Sequence, residues 1–211
     1  MTRGLTGAKR IFLRPPRCVR VRGVKGIPVP EITDSRLIEG VNFAALRAFG
    51  DDRGRFLETF RKEWFPQRNW ARVQSNVSYS KAGVLRGLHF HYHQVDYWFC
   101  VNGTVQVALA DLRPDSPTFR QTETLKIGEQ KTMGVFIPEG VAHGFLALTD
   151  AVLTYNVDNY YDSSDEHGVA WNDPELAVKW EQGTPQLSDR DRGNPFLAEL
   201  PVDHLPRYGS G

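Results

Sequence analysis

An all-β fold, a sandwich or barrel of many short strands, is what this sequence predicts. Three observations carry the prediction. Thr104 to Leu112 alternates so that Val105, Val107 and Leu109 share one face at period 2. Ala151 to Val157 is β-branched and aromatic, again strand-like. Gly103, Gly134 and Gly140, with Pro114 and Pro138, punctuate the runs at turn-like positions.

Taken in order, the chain begins with a basic segment. Residues 1–30 hold eight of the 26 Lys and Arg residues and none of the 25 acids, so the remainder carries a clear acidic excess. Gly4, Gly7, Pro15, Pro16, Gly23, Gly26, Pro28 and Pro30 oppose a long helix there. Residues 1–36 therefore read as a flexible basic arm, and 37–211 as the folded domain. An appendage is the plain reading of the arm. An anion-binding or targeting arm is the sharper one, although the prolines and the missing amphipathic period weaken a transit peptide.

Within the domain, Phe43 to Phe49, a turn near Lys62 to Phe65, and the segment after Asp189 are the candidate short helices. The 211 residues suffice for one domain with a sizeable core. A formal net charge of +1 argues against a nucleic-acid binder. No run of 18 apolar residues exists, so no membrane span is expected, and Ile11-Phe12-Leu13 is too short for a signal-peptide core. Cys18 and Cys100 do not make a disulfide framework, and a reducing cytoplasm is the default location.

The segment Arg86-Gly87-Leu88-His89-Phe90-His91-Tyr92-His93-Gln94-Val95-Asp96 is the richest in chemistry. From about residue 37 to 207, the chain resembles the dTDP-4-dehydrorhamnose 3,5-epimerase family. The matching segments fall in one order: Asp52 to Glu58, Gln74 to Ser78, Arg86 to His89, Asp111 to Phe119, Ile137 to Phe145, Glu166 to Gly168, Trp171 to Pro174 and Leu187 to Asp191. Each is weak alone, and eight in register are specific. The resemblance implies a cupin jelly-roll barrel (a double-stranded β-helix) with a few short helices. It also implies a homodimer without a cofactor, acting on a dTDP-4-keto-6-deoxyhexose.

Inverting a carbon beside a ketone needs a base, a stabiliser for the enolate oxygen, and an acid on the opposite face. By resemblance His89 is the base, Asp191 its carboxylate partner and Tyr155 the acid. A carboxylate on one imidazole nitrogen fixes the tautomer and raises the basicity of the other. Against these roles stand plainer ones: a core aromatic for Tyr155 and a helix-start acid for Asp191. Arg86 matches a diphosphate or sugar contact. Arg53, Phe56, Glu58, Gln74 and Asn76 match nucleotide-binding positions, part of the set coming from the partner subunit. His143 and Tyr161 complete the substrate-binding set. An Arg53–Glu58 salt bridge and amides that satisfy loop backbone are the plain alternatives.

One departure bears on mechanism. The family's Gln-x-Lys, whose lysine is expected near the enolate oxygen, is Gln94-Val95-Asp96 here. Two unit charges about 4 Å apart interact by about 4 kcal/mol at an effective dielectric near 20. Exchanging attraction for repulsion would then cost about 8 kcal/mol, on the order of 10⁶ in rate. Asp96 therefore points elsewhere, is protonated, pairs with His91 or His93, or is neutralised by a metal. For the last option, His89, His91, Asp96 and His143 resemble the three-His, one-carboxylate site of metal-binding cupins. His143 closes a Pro-x-Gly-x-x-His spacing from Pro138. Such a set suits one divalent Fe, Mn, Ni or Zn ion. A metal-dependent isomerase or oxygenase, and a nucleotide-sugar-binding protein without catalysis, are the competing readings to the epimerase.

Overall fold

A computed structural model of the chain describes residues 18–19 and 29–209. Its strands are β1 (Cys18–Val19), β2 (Glu31–Asp34), β3 (Asn42–Ala45), β4 (Phe49–Asp51), β5 (Gly54–Phe56), β6 (Gln74–Ser80) and β7 (Leu85–Phe90). They continue as β8 (Asp96–Asn102), β9 (Thr104–Asp111), β10 (Thr122–Gly128), β11 (Met133–Ile137), β12 (Val141–Ala147), β13 (Ala151–Val157) and β14 (His167–Gly168). The short helix α1 is Asp189–Arg192, and Lys62–Trp64 forms a single tight turn of helix. A seven-stranded sheet runs β1-β2-β3-β11-β8-β13-β6, and a five-stranded sheet runs β10-β9-β12-β7-β14. The two sheets face each other as a jelly-roll barrel, and β4 and β5 form a separate hairpin.

The alternation expected in β9 is present: Val105, Val107 and Leu109 are fully buried between the sheets with Trp98, Leu153 and Phe145. The other face of β9 is buried as well. Ala108 and Ala110 pack with Leu88 and Phe90 under the C-terminal residues Val169, Leu176, Leu197 and Leu205. Gln106, the polar residue on that face, donates to the Lys179 carbonyl at 2.7 Å and accepts from the Glu181 N–H at 2.9 Å. Satisfying both ends of its amide removes the cost of burying it. The seven-stranded sheet is covered in the same way, where Tyr97, Phe99 and Phe136 pack against Trp64, Phe65 and Trp70.

Four expectations need correction. Residues 31–34, assigned to the arm of residues 1–36, are strand β2, paired with β3 and burying Ile32. The rest of the arm, apart from Cys18–Val19 paired to β2, lies largely outside the described residues. Phe43 to Phe49 is not helical, because Asn42–Ala45 gains ladders with both β2 and β11, and pairing overrides local propensity. Gly134 is no turn: it sits within β11, where a Cβ would stand 1.9 Å from the Tyr97 hydroxyl. Gly103 and Gly140 do take positive φ, as turns require. Arg53 and Glu58 do not pair; Arg53 bonds Asp51, and Glu58 bonds Arg61.

Candidate active site

A cavity of about 520 Å³ opens between the sheets. The five-stranded sheet contributes His89 from β7 and His143 from β12, which are direct partners across the ladder. The seven-stranded sheet contributes Asp96 and Trp98 from β8 and Tyr155 from β13. In β8, Asp96 and Trp98 alternate with Tyr97 and Phe99, so the pleat turns the first pair inward and the second onto the outer layer. The helix α1 brings Asp191 to the cavity wall.

The β7–β12 contact is close because both strands carry glycine there. A Cβ on Gly87 would stand 2.6 Å from the Gly144 Cα, and one on Gly144 would stand 2.7 Å from the Arg86 carbonyl. Pairing shifts register at this point, between His143 and Phe145. The bulge sets which side chains of β7 reach the cavity.

His89 Nε2 lies 2.6 Å from Asp191 Oδ1. Asp191 is buried, and its backbone N–H donates to the Ser188 side chain, which caps α1. The plain reading of Asp191 as a helix-start acid is therefore also correct, and one residue serves both ends. Burial alone would raise the Asp191 carboxyl. The hydrogen bond and charge of His89, with Ser188 and the Gly87 backbone, outweigh it and hold the group below the usual carboxylate value. An ionised Asp191 accepts from Nε2–H and leaves Nδ1 as the basic nitrogen of His89.

Tyr155 stands on the opposite sheet. Burial raises its phenol first, the carboxylates of Asp96 and Glu166 add to this, and Arg86 partly opposes them. The group stays protonated at neutral pH and can donate. Arg86 itself donates to Ser80 Oγ at 3.0 Å and to the Tyr79 carbonyl at 3.4 Å, which fixes its guanidinium at the cavity wall.

Asp96 does not point elsewhere. Its carboxylate is buried and accepts from Gln94 Nε2 and Trp98 Nε1, each at 2.9 Å. His91 Nε2 is 3.9 Å from one of its oxygens and His143 Nε2 is 3.8 Å from the other. His93 is exposed and takes no part. Burial, above all, pushes His143 down to about 4, so this imidazole is neutral. His91, Asp96 and His143 offer donor atoms within 4.8 Å of one another. His89, the fourth member of the expected metal set, is not among these converging donors. Two imidazoles and a carboxylate are a donor set that fits a divalent transition metal.

The sequence profile of the dTDP-4-dehydrorhamnose 3,5-epimerase family matches residues 35–199. The chain belongs to this family. It is 40% identical over 181 residues to a dTDP-4-dehydrorhamnose 3-epimerase of Streptomyces niveus, covering 82% of this chain and 87% of that one. Among solved structures it is similar to NovW, a 4-keto-6-deoxy sugar epimerase of Streptomyces spheroides, with a TM-score of 0.77, 36% identity, and coverage of 92% and 97%. It is also similar to an epimerase of Legionella pneumophila in complex with dTDP-4-keto-L-rhamnose, with a TM-score of 0.76, 32% identity, and coverage of 82% and 96%.

The epimerase-family residues matched in the sequence separate into three groups. His89, Asp191, Tyr155, Arg86 and His143 share the main cavity. Phe56 and Glu58 instead line a second hollow of about 200 Å³ with Phe49 and Trp64, and Arg53 lies exposed on the β4–β5 hairpin beside it. Gln74 and Asn76 lie on β6, where Gln74 Nε2 donates to Asn76 Oδ1 at 3.0 Å and Gln74 Oε1 accepts from the Tyr161 N–H at 3.0 Å. Tyr161 is 67% exposed. Sequence reasoning missed Trp98 and Ser188. The period-2 step from Asp96 signals the first, and the Ser-x-x-Asp cap spacing signals the second.

Proposed function

We propose that this enzyme inverts a carbon beside the ketone of a dTDP-4-keto-6-deoxyhexose by moving protons between His89 and Tyr155. The observation that carries the reading is the His89–Asp191 pair on one wall of the cavity with Tyr155 on the facing sheet. His89 Nδ1 takes the proton, the C–H electrons move to the carbonyl oxygen, and Asp191 balances the imidazolium. The Tyr155 hydroxyl then delivers a proton to the opposite face of the same carbon, restoring the ketone. General base and general acid each contribute about 10²–10⁴-fold. Arg86, held by Ser80, suits the diphosphate.

We also propose a cytoplasmic homodimer. The edge strand β6 exposes Val77 at 50% and Tyr79 at 72%, an apolar row that supports association. Phe56 is 68% exposed on its hairpin, and with Arg53 and Glu58 it would complete the nucleotide site of a second copy. Gln74, Asn76 and Tyr161 would meet the same nucleotide from the β6 side. Among the described residues no helix is long and apolar enough to cross a membrane.

The test is solvent deuterium incorporation into dTDP-4-keto-6-deoxyglucose, followed by NMR. Incorporation at carbon 3, or at carbons 3 and 5, supports the reading and counts the centres. Tight dTDP binding with no incorporation would replace it with a binding protein.

A further inference from the structure

We propose that His91, Asp96 and His143 bind one divalent transition-metal ion at the floor of the cavity. His91 Nδ1 donates to the Asp165 carbonyl at 2.7 Å, and His143 Nδ1 donates to the Val141 carbonyl at 2.9 Å. A carbonyl only accepts, so both rings carry a proton on Nδ1, and in the neutral imidazole the lone pair is then on Nε2. Both lone pairs face the Asp96 carboxylate, one toward each oxygen, at 3.9 and 3.8 Å. Those separations are too long for hydrogen bonds. With both imidazoles neutral, three acceptors converge with no donor between them. A water has two protons to offer three acceptors, whereas a cation satisfies all three at once.

The surroundings favour the cation. All three side chains are buried. Among the described residues no lysine or arginine pairs with Asp96; Arg86 is tied to Ser80 and Arg190 to Glu166. An ionised carboxylate without a cationic partner is costly to bury. Gln94 and Trp98 each occupy one lone-pair site on an Asp96 oxygen, which orients the carboxylate and leaves further sites open. The carbonyls behind the two imidazoles are the kind of outer partner that orients metal-binding histidines. Nitrogen and carboxylate oxygen ligands sit about 2.0–2.2 Å from a zinc-like ion. Donors within 4.8 Å of one another reach such a centre with small side-chain rotations. Two imidazoles and one carboxylate select Fe, Mn, Co, Ni or Zn over Mg or Ca.

The ion's part in the reaction rests on the proposed function, and its binding does not. When bound, it would supply the positive charge that polarises a substrate carbonyl. His89 remains free for proton transfer, because its ring is not among the three converging donors.

The test uses the full chain, stripped with chelator and titrated with Co(II), read by visible absorption and by metal analysis after dialysis. The expected result is one tightly held cobalt per chain. Binding should weaken in His91→Ala and Asp96→Asn by more than the about 10–100-fold that an outer partner costs. His93→Ala, on the same histidine-rich loop, should bind normally. Retained dTDP binding identifies the variants that fold. No stoichiometric cobalt in the folded chain, or equal binding in both ligand variants, overturns the proposal and leaves a proton or water in that place. Failure of the epimerase reading would appear separately, as absent deuterium exchange with the cobalt stoichiometry unchanged.

Discussion

His89 and Asp191 meet at 2.6 Å across 102 residues of chain, one on β7 and the other on the four-residue helix α1. The contact fixes which imidazole nitrogen is basic. Asp191→Asn keeps the size and the Ser188 cap but offers an amide where the carboxylate accepted. The wrong tautomer, or a turned ring, should follow. Deuterium exchange at the sugar is expected to fall by about 10²–10⁴-fold, while calorimetry shows unchanged dTDP affinity. Exchange within a factor of a few of the parent would remove Asp191 from the machinery.

Tyr155→Phe separates the two halves of the reaction. His89 still removes its proton in this variant, so exchange from the base's own face continues. Delivery to the opposite face loses its donor, so formation of inverted product should slow by about 10²–10⁴-fold. Following both signals in one NMR experiment decides the matter. Equal loss of exchange and inversion would mean that Tyr155 positions substrate and does not donate.

The barrel and the proposed catalytic trio are legible in the sequence for different reasons. β9 and β13 are visible in local pattern, since alternation and β-branching are properties of neighbouring residues. The trio His89, Asp191 and Tyr155 came through resemblance, because no local rule joins residues so far apart. The pairing of β3 is invisible locally, since Asn42–Ala45 becomes a strand only through β2 and β11 on either side. Asp96 shows the limit most clearly. Four fates were open for it, and only the pleat of β8, with Gln94 and Trp98 holding its oxygens, turns it inward between His91 and His143.

Gly144→Ala tests the close approach that shapes the cavity. Its new methyl would meet the Arg86 carbonyl at 2.7 Å and the Gly87 Cα at 3.1 Å, both backbone atoms that cannot rotate away. Overpacking of this kind costs about 1–3 kcal/mol. Urea denaturation should show a loss in that range. Activity should fall further than stability, because β7 must shift and carries His89 with it. Unchanged stability and exchange would show that the strands separate freely.

Asp111 sets a distinct acid sensitivity. It is fully buried at the end of β9. Its oxygens accept from Arg113 Nε at 2.8 Å and Nη2 at 2.9 Å, from Ser116 Oγ at 2.6 Å and from Thr118 Oγ1 at 2.7 Å. Burial would raise its carboxyl, but Arg113, Ser116 and Thr118 together overcome this and hold it below the usual value. A carboxyl depressed in the folded state contributes stability that is fully present above its unfolded value of about 3.9. That contribution is lost as pH falls through the lower folded value. Asp111→Asn should therefore cost about 3–5 kcal/mol at neutral pH, because Arg113 is left buried without its counter-charge. Below about pH 4 the gap between parent and variant should shrink, since protonation removes the same charge from the parent. Urea midpoints measured from pH 7 down to pH 3 check this, and a gap that stays constant over that range would show that Asp111 titrates alike in the folded and unfolded chains.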